Sequence, residues 1–318
     1  GGNEYYYRIG VLRNGEELIS NEQKLDAFNF ILVTGGYDGT KRITSNGSII
    51  SDFSMDIPIV ESIAVDSNKN IYIGQQDGIL KKADLNGNEI TDEQWPQDMS
   101  NRIYSIDIDS NNNVYAVSYG VLEKFDSLGN NIWTFTITGK DIYSVAVDSN
   151  GNVYSGSGDN TVRKIDSSGN QIWIFDSNAN GNTDGHTGRI HGVAVDSSGN
   201  VYSGSYDNTV KKIDSSGNHV WTFTGNSRVW CVAVDSNDNV YGGFSDILRK
   251  IDSSGNEVWT FSGHTGIVRG VAVDLSSDTI YSVSDDASIK KINSLGNEVW
   301  SSVIDNAFLY DVAFYLDY

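Results

Sequence analysis

Seven imperfect copies of one unit of about 40 residues, each reading as four short strands joined by turns, predict an all-β chain. The expected architecture is a single seven-bladed β-propeller of four-stranded antiparallel blades. Three observations carry this expectation. The unit recurs along nearly the whole sequence, its internal connections are short enough to join only antiparallel neighbours, and no stretch carries the period of a helix.

The clearest copy, residues 189–223, reads RIHGVAVDSSGNVYSGSYDNTVKKIDSSGNHVWTF. Its strand-like pieces are 190–195, 201–205, 210–213 and 219–223, each rich in β-branched or aromatic residues and bounded by Ser/Asp/Gly/Asn clusters. The aspartate closing the first strand recurs as Asp66, Asp109, Asp148, Asp196, Asp235 and Asp274, at intervals of 43, 39, 48, 39 and 39 residues. The first blade is incomplete: Ile31 to Ile50 reads as strands two, three and four with no first strand before them. The missing strand is expected at the other end, as LYDVAF from Leu309 to Phe314, so that the C-terminal strand joins blade one and removes an open edge.

Residues 28–318 therefore form the propeller, and residues 1–27 lie outside the repeat. Asn14-Gly15 between Tyr5 to Leu12 and Glu16 to Ile19 suits a two-residue hairpin turn, which makes this segment either a docking arm or a strand padding blade one.

Net charge is −20 and the pI about 4.4, which argues against a protein that tracks nucleic-acid phosphates, since that needs a basic stripe. The acidity comes from 32 Asp against 10 Glu. Asp in turns explains part of this excess, and the remainder suggests a halophilic, calcium-rich or extracellular setting. The single cysteine, Cys231, excludes an internal disulfide. It stands where other blades have Ser62, Ser105, Ser144, Gly192 and Gly270, and reads as a small buried filler. No run of 18 apolar residues occurs, so membrane insertion is not expected. The chain opens on Gly1-Gly2 without Met or a signal-peptide pattern, which leaves export undecided.

The stretch GHTGRIHGVAVDSSGNVYSGSYDNTVKKID resembles WD-repeat propellers. Gly185-His186 and Gly263-His264 fit the GH dipeptide of such units, and Ser203, Asp207 and Thr209 fit the second strand and its turn. Ile213 precedes Asp214 where the family has Trp, which removes one member of the family's His/Ser/Asp/Trp hydrogen-bond tetrad. VAVDSxGNVY is similar to NHL and other bacterial or archaeal propeller repeats, and DSSGNxxW resembles a shortened tryptophan motif of quinoprotein-type propellers. The resemblance spans about residues 28 to 315 and implies a fold, because propellers host many activities.

Five blades place Trp in the fourth strand (Trp133, Trp173, Trp221, Trp259, Trp300), and most place two basic residues in the third. Across the hairpin either member of the basic pair can lie opposite Trp, and a cation over indole is expected to staple the strands.

At the second residue of strand one the blades carry Glu61, Tyr104, Tyr143, His191, Trp230, Arg269 and Tyr310, while the neighbouring positions scarcely change. Variation confined to one position of a repeat points to a binding face. Four aromatics, a histidine and an arginine near the channel mouth suit stacking on sugar rings or anchoring a protein loop, or simply plug the channel. Tyr37, Tyr119 and Tyr206, in the turn after strand two, widen the same surface.

The longest interval holds an insertion, DSNANGNTDGHTG, whose start matches a calcium loop: Asp176, Asn178 and Asn180 at alternate positions, Gly181 at the sharp turn, Asn182 and Asp184 beyond. Position twelve is Thr187 rather than Glu, so a bound calcium would be held weakly; the alternative is a plain Asn/Gly-rich loop. Catalytic motifs such as GxSxG, HExxH and CxxC are absent, and only Glu61 and Asp77 suggest a carboxylate pair of the glycosidase kind. The expected function is non-catalytic recognition of a glycan or protein on a cell surface or virion exterior. The alternatives are a carbohydrate-active enzyme, glycosidase or lyase, using the same face, and a structural module docked through residues 1–27.

Overall fold

In the computed structural model, residues 11–14, 28–35, 39–44, 46–52, 59–84, 86–91, 94–177, 184–274, 277–304 and 308–314 are described. Among them every regular element is a strand and every pairing antiparallel. Four sheets are four-stranded meanders without crossovers, beginning at Val60–Val65, Ile190–Val195, Val229–Val234 and Val268–Asp274. In the second of these the strands are Ile190–Val195, Val201–Ser205, Thr209–Ile213 and His219–Thr224, within a residue of the bounds expected from sequence.

A seven-stranded sheet from Ser105–Ile108 to Gln171–Phe175 departs from the expected pattern. It is two meanders sharing one strand, Asn131–Val147, whose start pairs with Tyr119–Phe125 and whose end pairs with Val153–Ser157. The connection between these halves stays in the ladder across an irregularity, with Gly139 at φ +72°, and so fuses two sheets. The fifth-strand partner in the remaining sheet is Leu309–Phe314, which lies against Phe28–Gly35 beside Gly39–Thr44 and Ile49–Asp52. Val11–Asn14 pairs with the same strand, Phe28–Gly35; Gly15 and the rest of the N-terminal hairpin lie outside the described residues.

The core lies between sheets. Each apolar cluster straddles two consecutive repeats: Tyr154, Val162 and Phe175 pack on Ile190, Val193 and Val201 of the next unit, and Tyr202, Val210 and Phe244 bridge the following pair. Second strands are buried throughout, whereas fourth strands alternate with exposed residues, so the first strand is innermost and the fourth forms the rim.

The two families of Asp-containing turns close by one device. In the turn after strand one, Asp196 Oδ1 accepts the backbone N–H groups of Ser198 and Asn200, while Oδ2 accepts from Asn200 Nδ2 and from the Tyr202 hydroxyl. Asp66, Asp109, Asp148 and Asp235 repeat this with Tyr72, Tyr115, Tyr154 and Tyr241.

Among the described residues, the fourth-strand indoles of Trp133, Trp173, Trp221 and Trp259 do not take the expected cation. Lys212 does sit opposite Trp221 in the ladder, yet its Nζ lies over the ring of Tyr202, 5.0 Å from the centroid; Lys124, Lys164 and Lys250 lie likewise over Tyr115, Tyr154 and Tyr241. The tyrosine is both closer to the sheet interior and made electron-rich by its bond to aspartate, so it draws the ammonium. Each indole instead reaches the next repeat, where its N–H donates to a turn carbonyl: Trp133 to Ser167, Trp173 to Ser215, Trp221 to Ser253 and Trp259 to Ser294, at 3.0 to 3.2 Å. Trp95 plays the same part toward Ser127 from within an insertion, where the repeat pattern did not reveal it. The staple therefore joins blades, not strands.

The turn glycine receives the indole. Gly217 has φ +91°, and a Cβ there would stand 3.0 Å from Trp173. Gly217→Ala combines an unfavourable backbone region with that collision and should cost about 1–2 kcal/mol. Urea titration beside Ser216→Ala measures it, and equal midpoints for the two variants would remove the indole staple from the account.

Candidate functional site at the channel mouth

The variable residues owe their direction to a recurring β-bulge. In the first strands the register skips between Val60 and Ser62, Ile142 and Ser144, Ile190 and Gly192, Val229 and Cys231, Val268 and Gly270, and between Leu309 and Asp311. The skipped residues are Glu61, Tyr143, His191, Trp230, Arg269 and Tyr310. A bulge leaves one residue out of the ladder and re-aims its side chain, so these positions are released from pairing in blade after blade. The small residue that follows the bulge and the glycine opposite it make room. A Cβ on Gly204 would stand 2.6 Å from Val229 of the next repeat, and one on Gly156 2.6 Å from Ile190.

These side chains and Tyr104 line one cavity of about 600 Å³ among the first strands. His191 is stacked between Tyr143 and Tyr206, with ring centroids 4.2 Å away on either side, and Trp230 meets both His191 and Tyr206 edge-on. Arg189 lies over the Tyr143 ring and donates to its hydroxyl at 3.1 Å, and Arg228 lies over Tyr206 at 4.8 Å. Tyr104 and Tyr143 both donate to Asp141. Arg102 donates to Glu61 Oε2 at 2.7 Å, and Arg269 forms a two-pronged pair with Asp285 while its guanidinium lies 4.2 Å from the Trp230 ring centre.

Four buried polar atoms at this mouth lack a hydrogen-bond partner: Glu61 Oε1, Arg102 Nε, His191 Nε2 and Trp230 Nε1. Leaving such groups unpaired costs about 1–3 kcal/mol each, an expense that stable folds ordinarily avoid away from functional surfaces. Burial pushes the Glu61 carboxyl above its ordinary range despite Arg102. Burial also drives His191 down, with Arg189, Arg269, Arg102 and Arg228 adding repulsion, to about 3.

Tyr206, expected on the turn after strand two, joins the stack through His191. Tyr119 is exposed and outside the cavity, and Tyr37 lies outside the described residues. Asp77 is not brought to Glu61 in the cavity; it accepts the backbone N–H of Ile79 as a turn cap. Cys231 is buried and its thiol points a weak donor at the Val268 carbonyl of the next repeat, 3.7 Å away, whereas at the same position the Ser62, Ser105 and Ser144 hydroxyls accept N–H groups of the neighbouring first strand. Of the calcium-loop residues, Asn178, Asn180 and Asn182 lie outside the described residues; Asp176 and Asp184 stand at the loop's base, where a Cβ on Gly185 would meet Asp176 and Ser177 backbone. Sequence reasoning missed Arg102, Asp141, Arg189 and Arg228. Each stands two residues before Tyr104, Tyr143, His191 or Trp230, a position that also varies among the copies, and the same test two residues earlier would have found them.

The GH units keep their hydrogen bonds without the tryptophan. With a neutral ring, His186 Nδ1–H donates to Asp207 Oδ2 at 2.9 Å and the Ser203 hydroxyl donates to Nε2 at 2.8 Å, while Thr209 closes the turn on Asp207. His264, Ser282, Asp286 and Ser288 repeat the arrangement. Burial holds both His186 and His264 below the ordinary histidine value.

A histidine held down in the fold stays neutral while the unfolded chain still takes up a proton near its ordinary value. The stability it contributes is therefore complete above about pH 6.5 and is lost as pH falls below it. His191, displaced to about 3, should cost on the order of 2 kcal/mol at pH 5. Urea unfolding at pH 7.5 and pH 5 should show a smaller acid loss for His191→Phe than for the wild type; identical losses would refute the neutral, buried ring.

Residues 118–244 match the family described as outer membrane protein assembly factor BamB, and residues 255–293 match the WD domain, G-beta repeat. No curated protein matches the chain. Among solved structures, the computationally designed Ika8 protein superposes with a TM-score of 0.69 at 18% identity, over 96% of this chain and 91% of that one, a likeness of fold alone. Together with the antiparallel sheets, the bulged first strands and the GH units, these matches support a β-propeller repeat protein similar to the WD40 and quinoprotein-type repeats.

Proposed function

We propose that the chain is a binding module: a closed, seven-bladed disc that receives a protein segment or glycan at the mouth of its central channel. The ring reading counts the seven-stranded sheet as two blades. Its support is the register Ile31↔Phe314, Leu32↔Ala313, Val33↔Val312 and Thr34↔Asp311, and the packing of Leu309–Phe314 against the first strands on both sides, Val268–Asp274 and Val60–Val65. The indole of Trp300 also abuts Gly47 of the first repeat, as other indoles abut the turn glycine of their successor.

The observation that carries the binding reading is the convergence of the variable residues on bulge positions around one cavity, where four buried polar atoms have no partner among the described residues. A scaffold with no partner has no use for five different side chains among the seven copies of one position. The BamB-like match favours a protein partner, since that family is named for assembly. The Asp77 turn cap leaves the carbohydrate-active alternative without the second carboxylate it drew on.

Probing the full chain on glycan and peptide arrays tests this reading. Stoichiometric capture with no released product is expected. Shortened oligosaccharides or new reducing ends would replace the binding module by an enzyme.

A further inference from the structure

The tyrosine–histidine stack is closed at both ends by cations. Running along it, Arg189 covers Tyr143, Tyr143 faces His191, His191 faces Tyr206, and Arg228 covers Tyr206. No face in this stack is left open for a pyranose ring. Arg189 and Arg228 are exposed and form no ion pair among the described residues, although the chain carries 42 acidic residues against 22 basic ones. Their guanidinium groups are held by ring faces, and Arg189 gives one N–H to the Tyr143 hydroxyl, which leaves its remaining N–H groups and the Arg228 fork to meet a carboxylate.

The acids of the mouth are already engaged. Glu61 takes Arg102, Asp285 takes Arg269, and Asp141 takes two tyrosine hydroxyls. Deeper in the channel, Asp107 accepts the N–H groups of Ile108 and Val147, and Asp311 accepts the Ser62 hydroxyl and the N–H groups of Ile63 and Val312. Four arginines, Arg189, Arg269, Arg102 and Arg228, stand around the stack, and after burial they are what most opposes protonation of His191.

We propose that the mouth takes an acidic peptide segment of a partner protein, its carboxylates held by Arg189 and Arg228. Planar guanidinium forks match carboxylates in two-pronged geometry, and guanidinium groups already seated on rings lose little freedom on pairing. The inference rests on the mouth being the binding site, and it adds the chemistry of what binds.

Fluorescein-labelled hexaglutamate, hexaglutamine and hexagalacturonate, titrated into the full chain and followed by anisotropy, test it. Hexaglutamate should bind at least tenfold more tightly than either other probe. The Arg189→Gln/Arg228→Gln variant should lose at least tenfold in hexaglutamate affinity with an unchanged melting temperature. Absence of hexaglutamate binding, or equal binding by the arginine variant, would overturn the proposal; tighter binding of hexagalacturonate would transfer the site to acidic glycans. Loss of hexaglutamate on Trp230→Ala with no effect of the arginine variant would keep the mouth as the site and reject the arginine clamp. Binding indifferent to both variants would reject the mouth itself.

Discussion

Replacing Trp230 or Tyr143 by Ala should weaken binding of peptides or glycans selected on the wild-type chain by about 2 kcal/mol or more per residue, roughly thirtyfold in affinity. Both residues sit at bulge positions, outside the ladder and outside the apolar clusters between repeats. Their loss should therefore spare the sheets: far-UV circular dichroism stays unchanged and melting stays cooperative. Truncating Trp230 removes a ring that meets His191 and Tyr206 and carries the Arg269 guanidinium, so the mouth itself is disordered even where the fold is not. Truncating Tyr143 uncovers one face of His191 and releases Arg189. Ser216→Ala, in the strand-three turn of the opposite face, should bind as the wild type does. The reverse pattern, binding lost at Ser216 and retained at Trp230 and Tyr143, would put the partner on the other side of the molecule.

Much of the fold was legible because it repeats. A strand of four to six residues bounded by DSxGN is ambiguous once, but a recurrence removes the ambiguity, and strands such as Ile190–Val195 and Val201–Ser205 fall where the pattern put them. What the pattern could not carry was whatever breaks it. Trp95 fills its slot from inside an insertion, and Asn131–Val147 stays paired through a connection that carries Gly139 and Asp141, residues that read as a turn. The partner of each lysine was beyond reach for a different reason. Register puts Lys212 opposite Trp221, but its ammonium moves toward the buried tyrosine whose hydroxyl already leans on Asp196, an effect of three dimensions on a side chain long enough to choose. The site was legible as variation within repetition. The bulge that explains the variation was not, since a bulge is a property of pairing. The turn aspartates also change how the charge reads: Asp66, Asp109, Asp148, Asp196 and Asp235 each hold a turn together, so part of the acidity is architecture, independent of any surrounding salt.

Removing residues 309–318 should cost on the order of 5 kcal/mol or more, a large share of the 5–15 kcal/mol that ordinarily separates a folded domain from its unfolded chain. Leu309, Val312 and Ala313 are fully buried, and burial of an aliphatic side chain is worth about 1.5–3 kcal/mol. The same cut strips the ladder partners from Val33 and Thr34 and takes away Asp311, leaving the Ser62 hydroxyl and the Ile63 N–H without their acceptor. An unpaired strand edge between two apolar sheets is a template for association, so the shortened chain should aggregate or elute as large species where the full chain is monodisperse. Asp311→Ala, which keeps the strand and deletes only the acceptor, should lose about 1–3 kcal/mol and remain monodisperse. A synthetic peptide of residues 309–318 added in trans should restore solubility to the shortened chain, because the site it fills is preformed on three sides. A truncated chain that stays monodisperse and melts at the wild-type temperature would show that Leu309–Phe314 is an ornament on the first sheet, and the ring reading would fall with it.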